Sequence, residues 1–137
     1  MPSTPVDTGP LVALFDKRDK WHDTIKNFLA GHEQALTTSW PVLTEVSFLL
    51  EQHVWLDCLT WLEQGAVSIA DTPELEIKRI LVLSRKYKDL PMDFADASLI
   101  VLAELQNQAD IITIDSDFDV YRFGVNRKFN NLLRSWM

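Results

Sequence analysis

Pro91-Met92-Asp93-Phe94-Ala95-Asp96-Ala97-Ser98-Leu99-Ile100 is the stretch on which the reading of this chain turns. It reads as a loop entering the first turn of a helix. Beyond Asp96, the residues Ala97, Leu99, Ile100, Val101, Leu102, Ala103 and Leu105 leave that helix almost no polar face. A helix of this kind is buried against a sheet, so its start faces a crevice. With Asp93 as N-cap, Asp96 falls at N3, and the positive end of the helix dipole favours the ionised form of both acids. Acid-x-x-acid is also the pattern of a capping box, so the pair either caps the helix and no more, or caps it and does chemistry. The acids elsewhere in the chain bear on that choice.

Working outward toward the start, Val6-Asp7-Thr8-Gly9-Pro10 followed by Leu11 to Phe15 predicts a βα unit. Its short strand ends at Asp7, a tight turn runs through Gly9 and Pro10, and a helix follows. Pro2 and Pro5 shorten the strand. Asp16 to Trp21 is polar and exposed, and Asp23 to Gly31 is an amphipathic helix with Ile25, Phe28 and Leu29 inward. Ala35 to Thr38 is a strand, and Ser39 ahead of Trp40-Pro41 starts the next helix. Its apolar side carries Val42, Leu43, Val46, Leu49 and Leu50, with Glu45 one turn before Leu49. Glu45 is then either buried beside a cation or an arginine, or solvated at the edge of that face.

Val54 to Leu62 forms another helix, with Trp55, Leu59 and Leu62 in one stripe and Trp61 beside it. Such a stripe is core, or in part a surface for a second copy or a partner. Val67 to Ala70 is a strand, and Thr72-Pro73-Glu74 begins a helix from Leu75 to Tyr87. Arg79, Arg85, Lys86 and Lys88 make that helix basic, as a solvated face or as a strip for an anionic substrate. Asp110 to Ile114 is the next strand, and it delivers Asp115-Ser116-Asp117-Phe118-Asp119 to its carboxyl end. A tail with a last apolar cluster, Leu132, Leu133 and Trp136, completes the chain. Alternating strands and helices predict one domain over residues 1–137, a three-layer α/β fold with a mainly parallel sheet.

Composition narrows the function. With 137 residues, 47% hydrophobic and 24% charged, the chain is long enough for a full core. Its single cysteine, Cys58, excludes an internal disulfide and a cysteine-built zinc site, and is read as a core residue. No apolar run is long enough to cross a bilayer and the start lacks the features of a signal peptide, so a cytoplasmic protein is expected. A net charge of −7 opposes a generic phosphate-binding surface. If the substrate is a nucleic acid, a divalent cation, a local basic patch or a basic partner must offset the acids.

In a parallel sheet, ligands gather outside the carboxyl ends of the strands. Asp7 and Asp115 follow two strands, Asp93 and Asp96 open a helix, and Glu45 approaches from another. Carboxylates meeting there repel, and some stay protonated unless a cation intervenes. Hard oxygen ligands suit Mg²⁺ or Mn²⁺, and the chemistry such an ion supports is phosphodiester hydrolysis.

Val6-Asp7-Thr8-Gly9-Pro10-Leu11-Val12-Ala13-Leu14, Thr44-Glu45-Val46, Asp93-Phe94-Ala95-Asp96-Ala97-Ser98-Leu99-Ile100 and Thr113-Ile114-Asp115-Ser116-Asp117-Phe118 resemble, in that order, the signature blocks of PIN-domain ribonucleases. Within that group the chain is most similar to the VapC-like toxins of toxin–antitoxin pairs. The resemblance implies a PIN-like α/β/α fold and an acidic quartet of Asp7, Glu45, Asp96 and Asp115, with Asp93 and Asp117 at positions often acidic. It implies Asp117 as a further metal ligand, Thr8 and Thr113 as hydroxyl residues beside the metal, and Arg122 as a phosphate contact. It further implies Mg²⁺- or Mn²⁺-dependent cleavage of RNA, a homodimer, and inhibition by an antitoxin lying over the active site.

Rival readings fit less well. Asp115 to Asp119 could open an EF-hand loop, but its required glycine and glutamate are Val120 and Asn126. An aspartyl-nucleophile phosphatase needs more chain after Asp117 than this sequence has. His22, His32 and His53 have no metal-site spacing. The remaining rival is a PIN-like module that binds RNA or protein without cutting; loss of a quartet member would favour it, and all four are present.

Overall fold

The computed structural model describes residues 3–71 and 74–137. The expected helix start at Thr72-Pro73, and Pro2, lie outside the described residues. Strand β1 (Thr4–Pro5) leads into α1 (Thr8–Phe15) and α2 (His22–Gly31), then β2 (Leu36–Ser39), α3 (Trp40–Leu49) and α4 (Gln52–Glu63). β3 (Val67–Ala70), α5 (Glu74–Lys86), α6 (Phe94–Gln106) and β4 (Asp110–Ile111) follow. A 3-10 turn (Ser116–Asp119) precedes three two-residue strands, β5 (Arg122–Phe123), β6 (Arg127–Lys128) and β7 (Asn130–Asn131), and a last 3-10 turn (Arg134–Trp136).

β1, β2 and β3 are parallel, with Thr4 opposite Leu36 and Leu36 opposite Val67. Val6 pairs in parallel with Ile112, and β4 pairs in parallel with β7, so the sheet runs β3-β2-β1-β4-β7. The chain leaves β1 toward β2 on one side and returns as β4 on the other. That reversal of order makes the β1/β4 boundary the point where a crevice opens beyond the strand ends.

Pro5 does shorten the first strand, and the hydrogen bonds say how. Thr4 and Val6 donate to Ala35 and Thr37 on the β2 side, whereas residues 5 and 7 face β4. Pro5 has no N–H to give there, but its carbonyl accepts from Ile112 (2.9 Å) and the Asp7 N–H donates to the Ile112 carbonyl (3.0 Å). Asp7 is therefore pinned to β4 despite the proline.

Helices cover the sheet as an α/β/α sandwich: α6 lies against β1, β2, α3 and α5, and α1 packs on α2, α3 and α4. Residues Ala95 to Ala103 of α6 are all buried, as its composition predicts. Leu105 is not; it is 64% exposed. Leu49 is likewise 62% exposed, so the companion that argued Glu45 inward points to solvent, although Glu45 itself is half-buried. Cys58 is fully buried, as expected.

Two expectations shift in extent. The helix after β1 starts at Thr8, with Asp7 as N-cap and Gly9 and Pro10 inside its first turn rather than in a separate turn before it. The strand expected over Asp110 to Ile114 stops pairing after Ile112, where Thr113 turns its N–H to the Asn131 side chain (3.4 Å). The tail builds more than an apolar cluster. Tyr87, Phe118, Tyr121 and Phe129 form a chain of edge-to-face rings 5.1 to 5.4 Å apart, which fixes the segment after Asp115 against α5 and α6. At the far end of α6, the Glu104 carboxylate accepts from Arg79 Nε (2.9 Å), Arg79 Nη2 (2.7 Å) and the Gly124 N–H (2.7 Å), tying α5, α6 and the β5–β6 hairpin together.

Gly9 is required by packing. A Cβ there would lie 2.6 Å from Ile114 Cγ1 and 2.9 Å from its Cδ1. Gly9→Ala should therefore cost about 1–3 kcal/mol by overpacking, and adding Ile114→Ala should recover part of that loss. Paired chemical denaturation curves check both, since equal stability of wild type and Gly9→Ala would contradict the close approach.

Candidate active site

The acidic residues arrive from three places. Asp7 stands at the end of β1, Asp115 lies three residues past the Val6–Ile112 pair, and Asp96 sits in the first turn of α6. These three each offer a carboxylate oxygen within 4.8 Å of the others, and Asp7 and Asp96 are buried. They meet at the crevice where the strand order reverses.

Local hydrogen bonds hold each of them. Asp7 Oδ1 accepts from the Thr8 N–H (2.8 Å) and its Oδ2 from the Thr113 hydroxyl (2.8 Å). Thr113 Oγ1 in turn accepts from the Asp115 N–H (2.9 Å), so one hydroxyl sets the spacing of two acids. Asp115 Oδ1 accepts from the Asp117 N–H (2.9 Å) and so caps the 3-10 turn. Asp93 and Asp96 form the reciprocal capping box: the Asp96 N–H donates to Asp93 Oδ1 (2.8 Å) and the Asp93 N–H to Asp96 Oδ2 (3.4 Å). The Tyr121 hydroxyl, fully buried, donates to Asp96 Oδ2 as well (3.3 Å).

Glu45 stands outside the trio but is linked to it, since the Thr8 hydroxyl donates to Glu45 Oε1 (2.7 Å) while the Thr8 N–H serves Asp7. Asp93 is an exposed N-cap, and Asp117 lies half-buried in the 3-10 turn outside the cluster. Arg122 donates through Nη1 to the carbonyls of Asp119, Val120 and Tyr121, an arrangement that closes the turn after Asp119. Of the basic strip on α5, Arg79 is committed to Glu104, whereas Arg85, Lys86 and Lys88 are exposed. Tyr121 is the site neighbour that the sequence did not reveal; its one signal was a tyrosine just past the acidic turn.

Electrostatics reverse one expectation. The helix dipole was expected to keep Asp96 ionised, yet its pKa is pushed up to about 8, by burial first and then by the carboxylates of Asp93, Asp7 and Asp115. Asp7 is raised to about 6 by burial, against the bonds from Thr113 and Thr8 and with Asp115 and Glu45 adding to the rise. Burial also raises Glu45, helped by Asp93 beside it and opposed by the Thr8 hydroxyl. The Tyr121 hydroxyl is raised too, by burial and by Asp96, so it stays a donor at neutral pH. Proximity of like charges and loss of water outweigh a half-charge at the helix end.

An all-oxygen set of acids under such strain fits a hard dication. A family model for the PIN domain matches residues 6–124. The chain belongs to the PIN domain family. Ribonuclease VapC26 of Mycobacterium tuberculosis is 30% identical over 114 residues, covering 80% of this chain and 84% of that protein. The crystal structure of VapC20 from the same organism, described as a sarcin-ricin loop cleaving toxin, superposes with a TM-score of 0.80 at 20% identity. That match covers 89% of this chain and 97% of VapC20, and it places the chain in the same α/β/α fold.

The raised carboxyls make this PIN domain acid-favoured when metal-free. The folded state of Asp7 and Asp96 holds protons that the unfolded chain has released. Their contribution to stability is therefore complete below the ordinary carboxyl pKa and lost as pH rises through about 6 and about 8. In chelator, the melting temperature should fall between about pH 5 and about pH 8, and Asp96→Asn should flatten that fall. Thermal melts across that range check it, and a profile with the opposite slope would contradict the raised values.

Proposed function

We propose that this PIN domain is a divalent-metal-dependent endoribonuclease and the toxin of a toxin–antitoxin pair. The observation that carries the proposal is the convergence of Asp7, Asp96 and Asp115, where a cation would relieve the raised pKa values of Asp7 and Asp96. VapC26 and VapC20, named as a ribonuclease and as a toxin that cleaves the sarcin-ricin loop, support RNA as the substrate.

Asp7, Asp96 and Asp115 are the residues to hold Mg²⁺ or Mn²⁺, with Asp117 near enough in sequence to Asp115 to add a ligand. When bound, such an ion polarises a phosphate oxygen and acidifies a water. The chain's own residues do the rest. Thr113 and the Thr8 N–H fix both oxygens of Asp7, and Tyr121 turns Asp96 toward the cluster. Glu45, with Oε1 fixed by Thr8 and its pKa raised by burial, takes a proton from the attacking water on Oε2. Asp93, exposed at the rim, adds to the basicity of Glu45 by side-chain hydrogen bonding and by charge repulsion. Exposed Arg85, Lys86 and Lys88 supply positive charge for the RNA backbone that the chain as a whole lacks.

The toxin role brings an antitoxin and a second copy of the chain as partners. Phe48, Leu49, Leu56 and Leu59, exposed on α3 and α4, offer apolar surface to one of them. No described helix is long and apolar enough to cross a membrane, in keeping with action in the cytoplasm.

Asp96→Asn should abolish Mg²⁺-dependent cleavage of RNA while leaving the chain folded and no less stable in chelator, since one crowded carboxylate is gone. Cleavage that persists in that variant would sink the assignment. Thr113→Val should weaken Mn²⁺ binding by about 10–100-fold, because it frees both Asp7 and the Asp115 N–H. Calorimetric titration of wild type and variant with Mn²⁺ measures the difference directly.

A further inference from the structure

Beside the acids lies a groove of about 890 Å³, lined by Trp40, Pro41, Ile77 and Phe94 and rimmed by Glu45, Asp71 and Asp93. Trp40 opens α3 and Phe94 opens α6, and although both are large aromatic residues they remain 55% and 52% exposed. Core aromatics of this protein, such as Phe118, Tyr121 and Phe123, are buried to within a few per cent, so the exposure of this pair is not forced by an overfull interior. The Ser39–Ser98 hydroxyl bond (2.7 Å) joins the start of α3 to α6, which holds the two ring-bearing helix ends in a fixed relation.

We infer that this groove takes an unpaired nucleobase next to the scissile phosphate, stacked on Trp40 and Phe94. The inference rests on the proposal that the substrate is RNA, and it adds what the groove reads. Three features select that occupant. The groove is continuous with the site, because Glu45 and Asp93 belong to both. Its walls offer π-faces, on which any base can stack without sequence preference. Among the described residues its charged rim is made of carboxylates, which repel phosphate but accept hydrogen bonds from the N–H groups of a base edge. A paired base has those edges engaged and its faces stacked, so the groove favours a nucleotide splayed from a loop or a single strand.

The test uses the full chain with Mg²⁺ and a mixed-sequence oligoribonucleotide, presented as a single strand and annealed as a duplex. Wild type should cut the single strand and spare the duplex. Trp40→Ala and Phe94→Ala should each lower kcat/KM on the single strand by about tenfold or more, and Trp40→Phe, which keeps a ring, should restore most of it. An abasic nucleotide beside the cut should make the wild type behave like Trp40→Ala. Equal cleavage of strand and duplex, or unchanged kinetics in both alanine variants, would overturn the inference while leaving the ribonuclease assignment standing. If wild type and Asp96→Asn cleave no differently, the ribonuclease reading fails instead. Anisotropy of the labelled single strand on Asp96→Asn protein then still decides the groove, with tenfold weaker binding expected when Trp40→Ala is added and unchanged binding overturning it. An altered elution volume in the alanine variants with unchanged RNA binding and cleavage would mark the groove as a contact between copies of the chain, against the inference.

Discussion

Like charges held close together and away from water are the constraint on which this structure depends. Asp7, Asp96 and Asp115 approach within 4.8 Å at the one place where the strand order of the sheet reverses. Left to themselves, such groups would move apart or take up protons. They stay because each is anchored through the backbone: Asp7 by the Ile112 carbonyl, Asp96 by a capping box, Asp115 by the hydroxyl of Thr113. A site that stores electrostatic energy in this way is prepared for a cation before the cation arrives, which is the preorganisation that catalysis by charged groups requires.

Thr8 and Thr113 show how few residues that preparation takes. Each connects two acids: Thr8 joins Asp7 to Glu45 through its N–H and its hydroxyl, and Thr113 joins Asp7 to Asp115 through one hydroxyl. Asp7 is thus the hub, and its burial makes its orientation insensitive to solvent. Trp40 and Phe94 stand at the opposite extreme, exposed at the starts of α3 and α6. Rigid charged groups inside and aromatic surface outside divide the labour of holding a reactive centre and receiving a flexible strand.

Much of this was legible in the residues themselves. The apolar run after Asp96 predicted a buried helix, and Asp93 and Asp96 fell at N-cap and N3 as the capping pattern requires. Alternation of strands and helices predicted the layered parallel sheet, and the order of the acidic blocks pointed to PIN domains. What was not legible depended on distant neighbours. Leu49 and Leu105 have the periodicity of core residues, but the fold leaves both exposed. The start of α1 at Thr8 was hidden because Gly9 reads as a turn residue, whereas here it is a gap left for Ile114. Tyr121 reaches Asp96 only because aromatic packing with Tyr87 and Phe118 orients its ring, and no local pattern encodes that. The ionisation of Asp96 failed as a sequence argument because the dipole leaves out burial, the largest cause of the rise, and the carboxylates of Asp7 and Asp115, which the fold brings in to add to that of the neighbouring Asp93.

The two ends of α6 do opposite things. At its start the helix carries Asp96 among other negative groups, and at its finish Glu104 clamps Arg79 and the Gly124 amide. Between them, Ala95 to Ala103 are wholly enclosed, so the helix behaves as a stiff beam fixed at one extremity and loaded at the other. The Arg79–Glu104 ion pair thus holds the helix more than two turns from Asp96. Drift in the hairpin at that remote anchorage would be felt as misalignment of the acids, which makes the C-terminal segment a structural support of the reactive centre rather than an appendage.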